Sequence, residues 1–343
     1  MPKVVVIEGE DAAPEAVRPT VGLLDRLGLD IEWVRPPVED RDATRRAIDE
    51  SATTLFGATS GPSAWALFHL RWGKGTYANV RPTRWQPGFR SVLARPQGVD
   101  FVIVRENLED LYVGVEGDLD ALRPAGLESP TLRRPVADLG PGRFALKVIT
   151  EAGTRRVVRF AFELARKRKA AGRPGTVTCA TKHNMLPRSD GLFRSIALEV
   201  ARDYPDIGFA SFLVDDFARR LVAEPHGLDV VVMPNLYGDI LSDAAAGLVG
   251  GLGLAPSGCY GDGYAYFESV HGTAPDIAGR NVINPTATIL SAAMMLDHLG
   301  FAPAARRLER AVARVYEAGA SLTPDQGGTA TTTAFCEAVA KHL

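Results

Sequence analysis

The chain has 343 residues, which is long for one hydrophobic core and indicates two domains. Its 39 Lys and Arg nearly balance its 41 Asp and Glu, so charge gives no reason to expect binding to nucleic acid or to an anionic membrane surface. No apolar run approaches the ~18 residues of a membrane-spanning helix. The three scattered cysteines and the absence of a signal-like segment lead us to expect reduced thiols and a cytoplasmic location.

In chain order, apolar runs alternate with helical periodicities, which predicts an α/β fold with a mixed sheet and two lobes. The predicted strands are Val4–Ile7, Ile31–Val34, Thr54–Ala58, Val99–Val104, Tyr112–Val115, Phe144–Ile149, Thr176–Thr181, Ala210–Val214 and Val230–Met233. The predicted helices are Pro14–Leu27, Arg41–Ser51, Thr154–Lys169, Ser189–Asp203, Asp216–Val222, Thr288–Leu299, Pro303–Ala318 and Thr329–His342. Residues 117–142 carry Pro and Gly without periodicity, which indicates a loop or a dimer-forming arm.

The most informative segment follows the strand at Val230–Met233, where Asn235–Asp243 places two carboxylates four residues apart at the start of a helix. Positions i and i+4 share one helix face, so Asp239 and Asp243 are predicted to project side by side. Two aligned carboxylates suit a hard divalent cation, Mg²⁺ or Mn²⁺. From these residues alone, the alternative is an N-terminal helix cap followed by a solvated Asp one turn later.

A classical Rossmann domain would show G-x-G-x-x-G directly after its first strand. Here the first turn, residues 9–15, reads Gly-Glu-Asp-Ala-Ala-Pro-Glu, and the later glycine cluster at 250–253 does not fit the pattern either. The sequence therefore disfavours a classical Rossmann fold.

Eight segments together resemble the isocitrate/3-isopropylmalate dehydrogenase family of metal-dependent β-decarboxylating dehydrogenases. They are residues 77–82, 104–107, 110–112, 180–184, 235–243, 250–257, 268–279 and 323–329. The resemblance covers nearly the whole chain, and the motif from Asn235 to Gly279 is highly specific. It implies a large, cofactor-binding domain made of residues 1–76 plus 250–343. It also implies a small substrate-binding and dimerisation domain at 77–249, with an arm at about 117–142, and a homodimer with a shared active site.

The resemblance implies a reaction in which a nicotinamide oxidises a 3-substituted malate, of the isocitrate or 3-isopropylmalate type, and the product loses CO₂ to give a 2-oxo acid. Lys182, contributed across the dimer, matches the family base that takes the hydroxyl proton. Tyr112 matches the residue that returns a proton to the enol carbon.

The resemblance also implies a complete set of metal ligands. Asp239 and Asp243 match two of the family ligands, and Asp215 of a second subunit matches the third. Its neighbour Asp216 is the alternative, and Asp215 is favoured because it directly follows the strand's last Val. The cation would chelate the substrate and stabilise the charge that develops during decarboxylation.

Substrate carboxylates need guanidinium groups, and Arg71, Arg81 and Arg105 match the three family arginines. The helix before Arg71 departs from the family pattern. At the positions that hold the γ-carboxylate in isocitrate enzymes, this chain has Trp65 and Leu67, with Phe68 adjacent. An apolar wall rejects an unpaired carboxylate, although His69 could instead meet an anion. The 3-substituent therefore stays open.

For the cofactor, Asp276 and Ile277 occupy positions where NADP-using members carry Lys and Tyr. A carboxylate would repel a 2′-phosphate and bond the ribose hydroxyls, which predicts NAD. The residues expected at the cofactor site are Glu268, His271, Gly272, Thr273, Ala274, Asp276, Ile277 and Asn284. The first turn, 9–15, lacks two family glycines and abuts this site, so its backbone is expected to differ.

Alternatives remain both for the substrate and for whether the chain is a catalyst at all. The substrate could be of the tartrate or D-malate type, or belong to a specialised pathway. The chain could also be a catalytically inactive regulatory paralogue, although the metal ligands, Lys182 and Tyr112 are all retained. A nucleotide-binding module without turnover is disfavoured by the substrate arginines.

Overall fold

The computed structural model describes all 343 residues, and ten of the strands form a single sheet. The strands are β1 Lys3–Ile7, β2 Glu32–Val34, β3 Thr53–Phe56, β4 Ala78–Arg84, β5 Asp100–Glu106, β6 Glu116–Asp118, β7 Glu128–Ser129, β8 Arg134–Pro135, β9 Arg143–Ala145, β10 Thr176–Thr181, β11 Gly208–Leu213, β12 Val230–Met233, β13 Pro256–Tyr260 and β14 Ala265–Ser269. The helices are α1 Ala13–Asp25, α2 Arg41–Asp49, α3 Ala64–Phe68, α4 Glu151–Ala170, α5 Ser189–Ala201, α6 Val214–Ala223, α7 Asn235–Val249, α8 Thr286–His298, α9 Ala302–Ala318 and α10 Thr332–Ala340.

The large sheet has the strand order β11-β10-β12-β5-β4-β13-β14-β3-β1-β2. Its first five strands come from the middle of the chain and the other five from the two ends, so one sheet runs through both lobes. Neighbours are parallel except at β5–β4, β4–β13 and β13–β14, which are antiparallel. This mixed sheet confirms the predicted α/β fold class, and its order is not that of a classical Rossmann domain.

Strands at the centre of each lobe are apolar on both faces because helices cover the sheet on both sides. Residues 4–7 of β1 and all of β12 are buried. One large core cluster draws mainly on the two chain ends, including Val4 and Val339. A second cluster draws only on residues 77–232. The division of the chain at 76/77 and 249/250 stays a prediction, since Phe89 belongs to the first cluster and Tyr260 packs against the second.

Two predicted strands are wrong. At Tyr112–Val115 the chain forms a 3₁₀ turn, because Asp110 adopts a φ of +69° and breaks the extended run. At Phe144–Ile149 only the short β9 forms, followed by an isolated bridge between Asp110 and Val148. Patterning also misses β4, β13 and β14, whose sequences are interrupted by Pro, Gly or charged residues.

The predicted helices are present, with ends shifted by a few residues. The longest, α4, begins at Thr150, whose side chain accepts a bond from the Gly153 amide, and it ends on three basic residues that suit the helix dipole. The predicted arm consists of two small sheets, β6-β9 and β7-β8, with 3₁₀ turns between them. The search for membrane-crossing helices, by length and hydropathy, finds none.

Candidate active site

Three arginines converge on a cavity of about 540 Å³ whose walls come from both lobes. Arg81 and Arg105 project from the paired strands β4 and β5, and Arg71 from a single π-helical turn, His69–Gly73, that follows α3. The other side chains that line the cavity are Phe68, Trp72, Leu111, Tyr112, Glu116, Asp239 and Val270. Three guanidinium groups in one cavity are suited to a ligand with more than one carboxylate.

The two carboxylates of α7 lie side by side, as their spacing predicts. Arg81 Nη1 lies 3.2 Å from an oxygen of Asp239 and 3.2 Å from an oxygen of Asp243. Asp239 also pairs with Arg105, and its second oxygen accepts a 2.8 Å bond from the Tyr112 hydroxyl. One carboxylate therefore joins the arginine pair to the candidate proton donor.

The same contacts set the charge of the site. Burial opposes ionisation of Asp239, but Arg105 and Arg81 outweigh it and hold the pKa of Asp239 below its ordinary value. For Asp243, burial prevails over the attraction of Arg81, and its pKa is raised. Burial and the nearby Arg81 charge lower the pKa of Arg105 to about 10. Asp239 is therefore the more firmly ionised of the two carboxylates.

The donor set fits part of a divalent-cation site. The side chains of Asp239 and Asp243 are 34% and 47% exposed, so their oxygens can be reached from the cavity. Their oxygens are hard ligands and meet at one point, now taken by Arg81. However, a single chain holds no group of three or more His, Cys, Asp or Glu side chains placed to bind a metal. A cation held at this point would need further ligands, such as substrate, water or a second copy of the chain.

Lys182 and Asp215 lie outside this cavity, on a second surface. They follow the neighbouring parallel strands β10 and β11, and Lys182 Nζ lies 2.6 Å from Asp215 Oδ1. Asp215 is 63% exposed and available to another molecule. Asp216 instead bonds Arg219 at 3.1 Å and Arg220 at 2.8 Å on its own helix. These contacts favour Asp215 over Asp216 as the carboxylate associated with Lys182.

The apolar wall of the cavity is not made by Trp65 and Leu67, the two residues predicted from the sequence. Trp65 donates to the Val38 carbonyl, in the segment between β2 and α2, and packs with Leu67 against the core, so neither lines the cavity. Phe68 and Trp72 line it instead, with stacked rings 5.3 Å apart. The π-helical turn shifts the face that the chain presents before Arg71. His69 is turned away and pairs with Asp49 at 3.0 Å.

The arginines are held by side chains that sequence reasoning missed. Asn79 accepts from Arg81 Nε at 3.1 Å, and Ser242 accepts from Arg81 Nη1 at 2.7 Å. Asn235 accepts from Arg105 Nε at 2.8 Å, and the Tyr266 hydroxyl accepts from Arg71 Nε at 3.1 Å. Asn79, Asn235 and Ser242 lie inside the segments that carry the family resemblance, whereas Tyr266 lies outside them.

Some residues of the expected cofactor loop lie on an accessible surface. His271 bonds the Gly272 carbonyl through Nδ1 at 2.9 Å, while its buried Nε2 has no partner. Burial lowers the pKa of His271, so the ring is neutral and Nε2 can accept a hydrogen bond. Asp276 and Ile277 belong to a 3₁₀ turn, where Asp276 is exposed, and Ala274 precedes it with a φ of +52°. Thr273 is buried beneath the loop.

Two other expected cofactor residues are engaged inside the protein. Asn284 donates to Asp325 at 2.9 Å and to Tyr316 at 3.2 Å, so its amide braces the loop from within. Glu268 is buried and lies 3.6 Å from Arg71 and 3.3 Å from the Tyr266 hydroxyl, so it supports Arg71 from behind. The residues expected at the cofactor site therefore lie in three places: on the surface loop, in the interior beneath that loop, and next to Arg71.

The divergent first turn retains one obligatory glycine. Gly9 has a φ of +75°, and a Cβ there would lie 2.2 Å from the Ala58 carbonyl oxygen. Asp11 has a φ of +55°, in the left-handed region, which a glycine adopts without steric cost. The Ala12 amide then bonds the Thr273 carbonyl at 3.0 Å. The altered turn therefore still contacts the cofactor loop.

Comparison with known proteins agrees with this geometry. The family model described as isocitrate/isopropylmalate dehydrogenase matches residues 3–340. The chain belongs to this family. It is 43% identical to the 3-isopropylmalate/3-methylmalate dehydrogenase of Methanocaldococcus jannaschii, covering 100% of this chain and 99% of that protein. It is 42% identical to the isocitrate/homoisocitrate dehydrogenase of Thermus thermophilus, covering 99% and 98%.

Among solved structures, the isocitrate dehydrogenase of Methylococcus capsulatus superimposes with a TM-score of 0.86 at 36% identity, over 100% of this chain and 99% of that one. Membership in the isocitrate/isopropylmalate dehydrogenase family confirms both the predicted family and the predicted fold. It also supports the predicted enzyme class, a dehydrogenase.

Proposed function

We propose that this protein is an NAD-dependent dehydrogenase that uses Mg²⁺ or Mn²⁺ to convert a 3-substituted malate into a 2-oxo acid and CO₂. The observation that carries this proposal is the convergence of Arg71, Arg81 and Arg105 with Asp239 and Tyr112 in one cavity. Carboxylate-binding, metal-binding and proton-donating groups are all required for such a reaction, and this cavity offers all three.

The active form is a homodimer in which each site takes residues from both copies. Lys182 and Asp215 lie off the cavity of their own chain, and no third His, Cys, Asp or Glu of that chain is placed with Asp239 and Asp243 to bind a metal. The arm and its surroundings expose large apolar side chains, which suits contact with another molecule. These residues are Val115, Leu127, Leu132, Leu139, Leu146, Val148, Met185 and Ile240.

In this dimer, the arginines bind and orient the substrate carboxylates. Asp239 and Asp243, with Asp215 of the second copy, hold the divalent cation. Bound there, the cation would supply Lewis-acid polarisation and a nicotinamide would supply the hydride acceptor. Lys182 of the second copy takes the hydroxyl proton at Nζ.

Tyr112 delivers a proton to carbon after CO₂ has left. Burial, together with its bond to Asp239, raises the pKa of Tyr112, so the phenol is protonated and ready to donate.

The apolar wall made by Phe68 and Trp72 supports an apolar 3-substituent. Phe68 is 61% exposed and lines the cavity beside Trp72, and the three arginines are the only cationic side chains that line it. If the arginines hold the malate carboxylates, a γ-carboxylate against Phe68 and Trp72 would lose water without gaining a partner. His69, which could have met an anion, is committed to Asp49. Isocitrate should therefore be a poor substrate relative to a malate with an alkyl group.

The exposed carboxylate of Asp276 supports NAD as the cofactor. It would bond the ribose hydroxyls and repel a 2′-phosphate, and a charged hydrogen bond is worth about 1.5–3 kcal/mol. We therefore expect at least roughly tenfold higher kcat/KM with NAD⁺ than with NADP⁺.

Steady-state kinetics test the proposal directly. The assay follows reduction of NAD⁺ and of NADP⁺ in the presence of Mn²⁺, with isocitrate, 3-isopropylmalate, tartrate and D-malate as substrates. The expected result is the highest kcat/KM for 3-isopropylmalate with NAD⁺. Efficient isocitrate turnover would contradict the apolar wall, and a preference for NADP⁺ would contradict the Asp276 argument. No turnover on any substrate would favour the inactive paralogue.

A further inference from the structure

A buried ion cluster outside the cavity connects the two surfaces that carry the proposed catalytic groups. Lys147 Nζ lies 2.7 Å from Asp190 Oδ1 and 3.2 Å from Asp110 Oδ1. Both carboxylate side chains are fully buried, and the lysine side chain is 15% exposed. The ammonium also lies 4.5 Å from the centre of the Tyr237 ring. Such a cluster is expensive to bury, which calls for a reason.

Asp110 connects the cluster to the arginine cavity. Asp110 Oδ2 accepts a 3.0 Å bond from the Leu236 amide in the first turn of α7, the helix that presents Asp239. Asp110 also opens the turn that carries Tyr112, and its positive φ of +69° is uncommon for a residue with a side chain. Contacts that hold Asp110 in place therefore position both Tyr112, the proposed proton donor, and α7, which carries Asp239.

Asp190 connects the cluster to the second surface, which carries Lys182 and Asp215. Asp190 Oδ2 accepts a 2.6 Å bond from the backbone amide of Lys182, at the end of β10. That bond sets where the Lys182 side chain leaves the strand. Lys147 itself lies two residues after the end of β9, where the arm returns to the body of the protein, and Val148 pairs with Asp110 through two backbone bonds.

We propose that Lys147 is a positioning residue that couples the half-site a chain keeps to the half-site it gives to its partner. Through Asp110 it aligns Tyr112 and α7, and through Asp190 it aligns Lys182. The inference rests on the proposed function and the shared dimer, and it assigns the coupling to one ammonium group. The Lys147 ammonium touches none of the substrate arginines, and it lies away from the cofactor loop.

The test uses a heterodimer with a single live site. One chain carries Lys182→Met and keeps its cavity intact, and the other carries Asp239→Asn and donates an intact Lys182. Activity of this heterodimer, assayed on the best substrate from the kinetic panel, is the reference. If it has no activity, the shared-site proposal fails, whereas the Lys147 inference is judged only on changes from this reference.

Lys147→Met is then placed in one chain at a time. We expect kcat to fall by about tenfold to a hundredfold in either placement, because misplacement of a reacting group by an ångström has that effect. KM for NAD⁺ should change less than about threefold, since no cofactor residue contacts the cluster. Lys147→Arg, which keeps the charge but alters its geometry, is the second variant in case the Met variant does not fold, and at least about a tenfold loss is expected from it also.

Arg168→Met is the matched control. Arg168 likewise bridges two carboxylates, Asp229 at 2.6 Å and Asp100 at 3.0 Å, and its side chain is 16% exposed. The Arg168→Met change should lower the melting temperature of the heterodimer but leave kcat at the reference value. A folded Lys147→Arg heterodimer with the reference kcat in either placement would overturn the coupling. Equal losses of kcat from Arg168→Met would reduce Lys147 to a purely structural residue.

Discussion

Replacement of Asp239 by Asn should affect stability as well as activity, which separates it from the neighbouring ligand. Asp239 contacts Arg81 at 3.2 Å, pairs with Arg105 and accepts from Tyr112 at 2.8 Å. The Arg81 and Arg105 side chains are 9% and 2% exposed, so the variant leaves two nearly buried cations without their shared counter-charge. Asp243 has only the Arg81 contact.

The expected magnitude follows from these contacts. A hydrogen bond to a charged group is worth about 1.5–3 kcal/mol, and Asn keeps one acceptor oxygen in place of two charged ones. Because Asp239 is partly exposed, we expect a loss of about 2 kcal/mol in the free energy of unfolding. In a chain of this size this corresponds to a drop of about 3 °C in Tm. Asp243→Asn should change Tm by about 1 °C or less, on the scale of exposed ion pairs.

Thermal unfolding in EDTA and then across a Mn²⁺ titration measures both effects. Mn²⁺ should stabilise the wild type by mass action and should stabilise neither variant, because each lacks a ligand charge. Turnover should be crippled in both. Asp239→Asn with a wild-type Tm in EDTA would refute the network argument. Undiminished Mn²⁺ stabilisation of either variant would refute the ligand assignment.

Three further outcomes are expected. Burial raises the pKa of Glu106 from its ordinary 4.5 to about 7, so the folded state binds that proton more tightly; the stabilisation that this one group contributes should be complete below about pH 4.5 and should be lost, by up to about 3 kcal/mol, as pH rises through 7. Urea unfolding at a series of pH values should show this slope in the wild type and a flatter one in Glu106→Gln. Lys182→Met should lower hydride transfer by at least roughly a hundredfold while dinucleotide binding, measured by calorimetry, persists; unchanged transfer would refute its role as base. Phe68→Ala should lower kcat/KM for an alkyl-substituted malate by roughly tenfold and leave D-malate nearly unaffected, which kinetics with both substrates would show; equal effects on both would remove Phe68 from the 3-substituent pocket.

Much of the fold is predictable because burial leaves a local trace. The apolar run of β12 marks a strand covered on both faces, and the four-residue spacing of Asp239 and Asp243 fixes their common helix face. The order of the large sheet is not readable from periodicity, since its halves come from distant parts of the chain. The family resemblance supplied that organisation.

The residues that prediction misplaced depend on backbone geometry that composition does not encode. Trp65 and Leu67 lie outside the cavity, and the residues that line it are Phe68, directly before the π-helical turn at His69–Gly73, and Trp72 within that turn. Tyr112 is presented by a 3₁₀ turn that Asp110 initiates through a tertiary bond to α7.

Lys147 stands in an ordinary Ala-Leu-Lys-Val run, and nothing local announces its two buried partners. Only the tertiary contacts place it between the two catalytic surfaces.

Complementation between two inactive variants tests the shared active site most directly. Lys182→Met and Asp239→Asn homodimers should each be inactive, and their co-expression should restore about a quarter of wild-type activity, because half of randomly paired dimers are mixed and each has one intact site. Co-expression of Asp239→Asn with Asp243→Asn is the control, since both changes strike the same half-site and no intact site can form. Recovery in the first pair alone is the predicted result. No recovery in the first pair, or equal recovery in both, would contradict a site built from two copies of the chain.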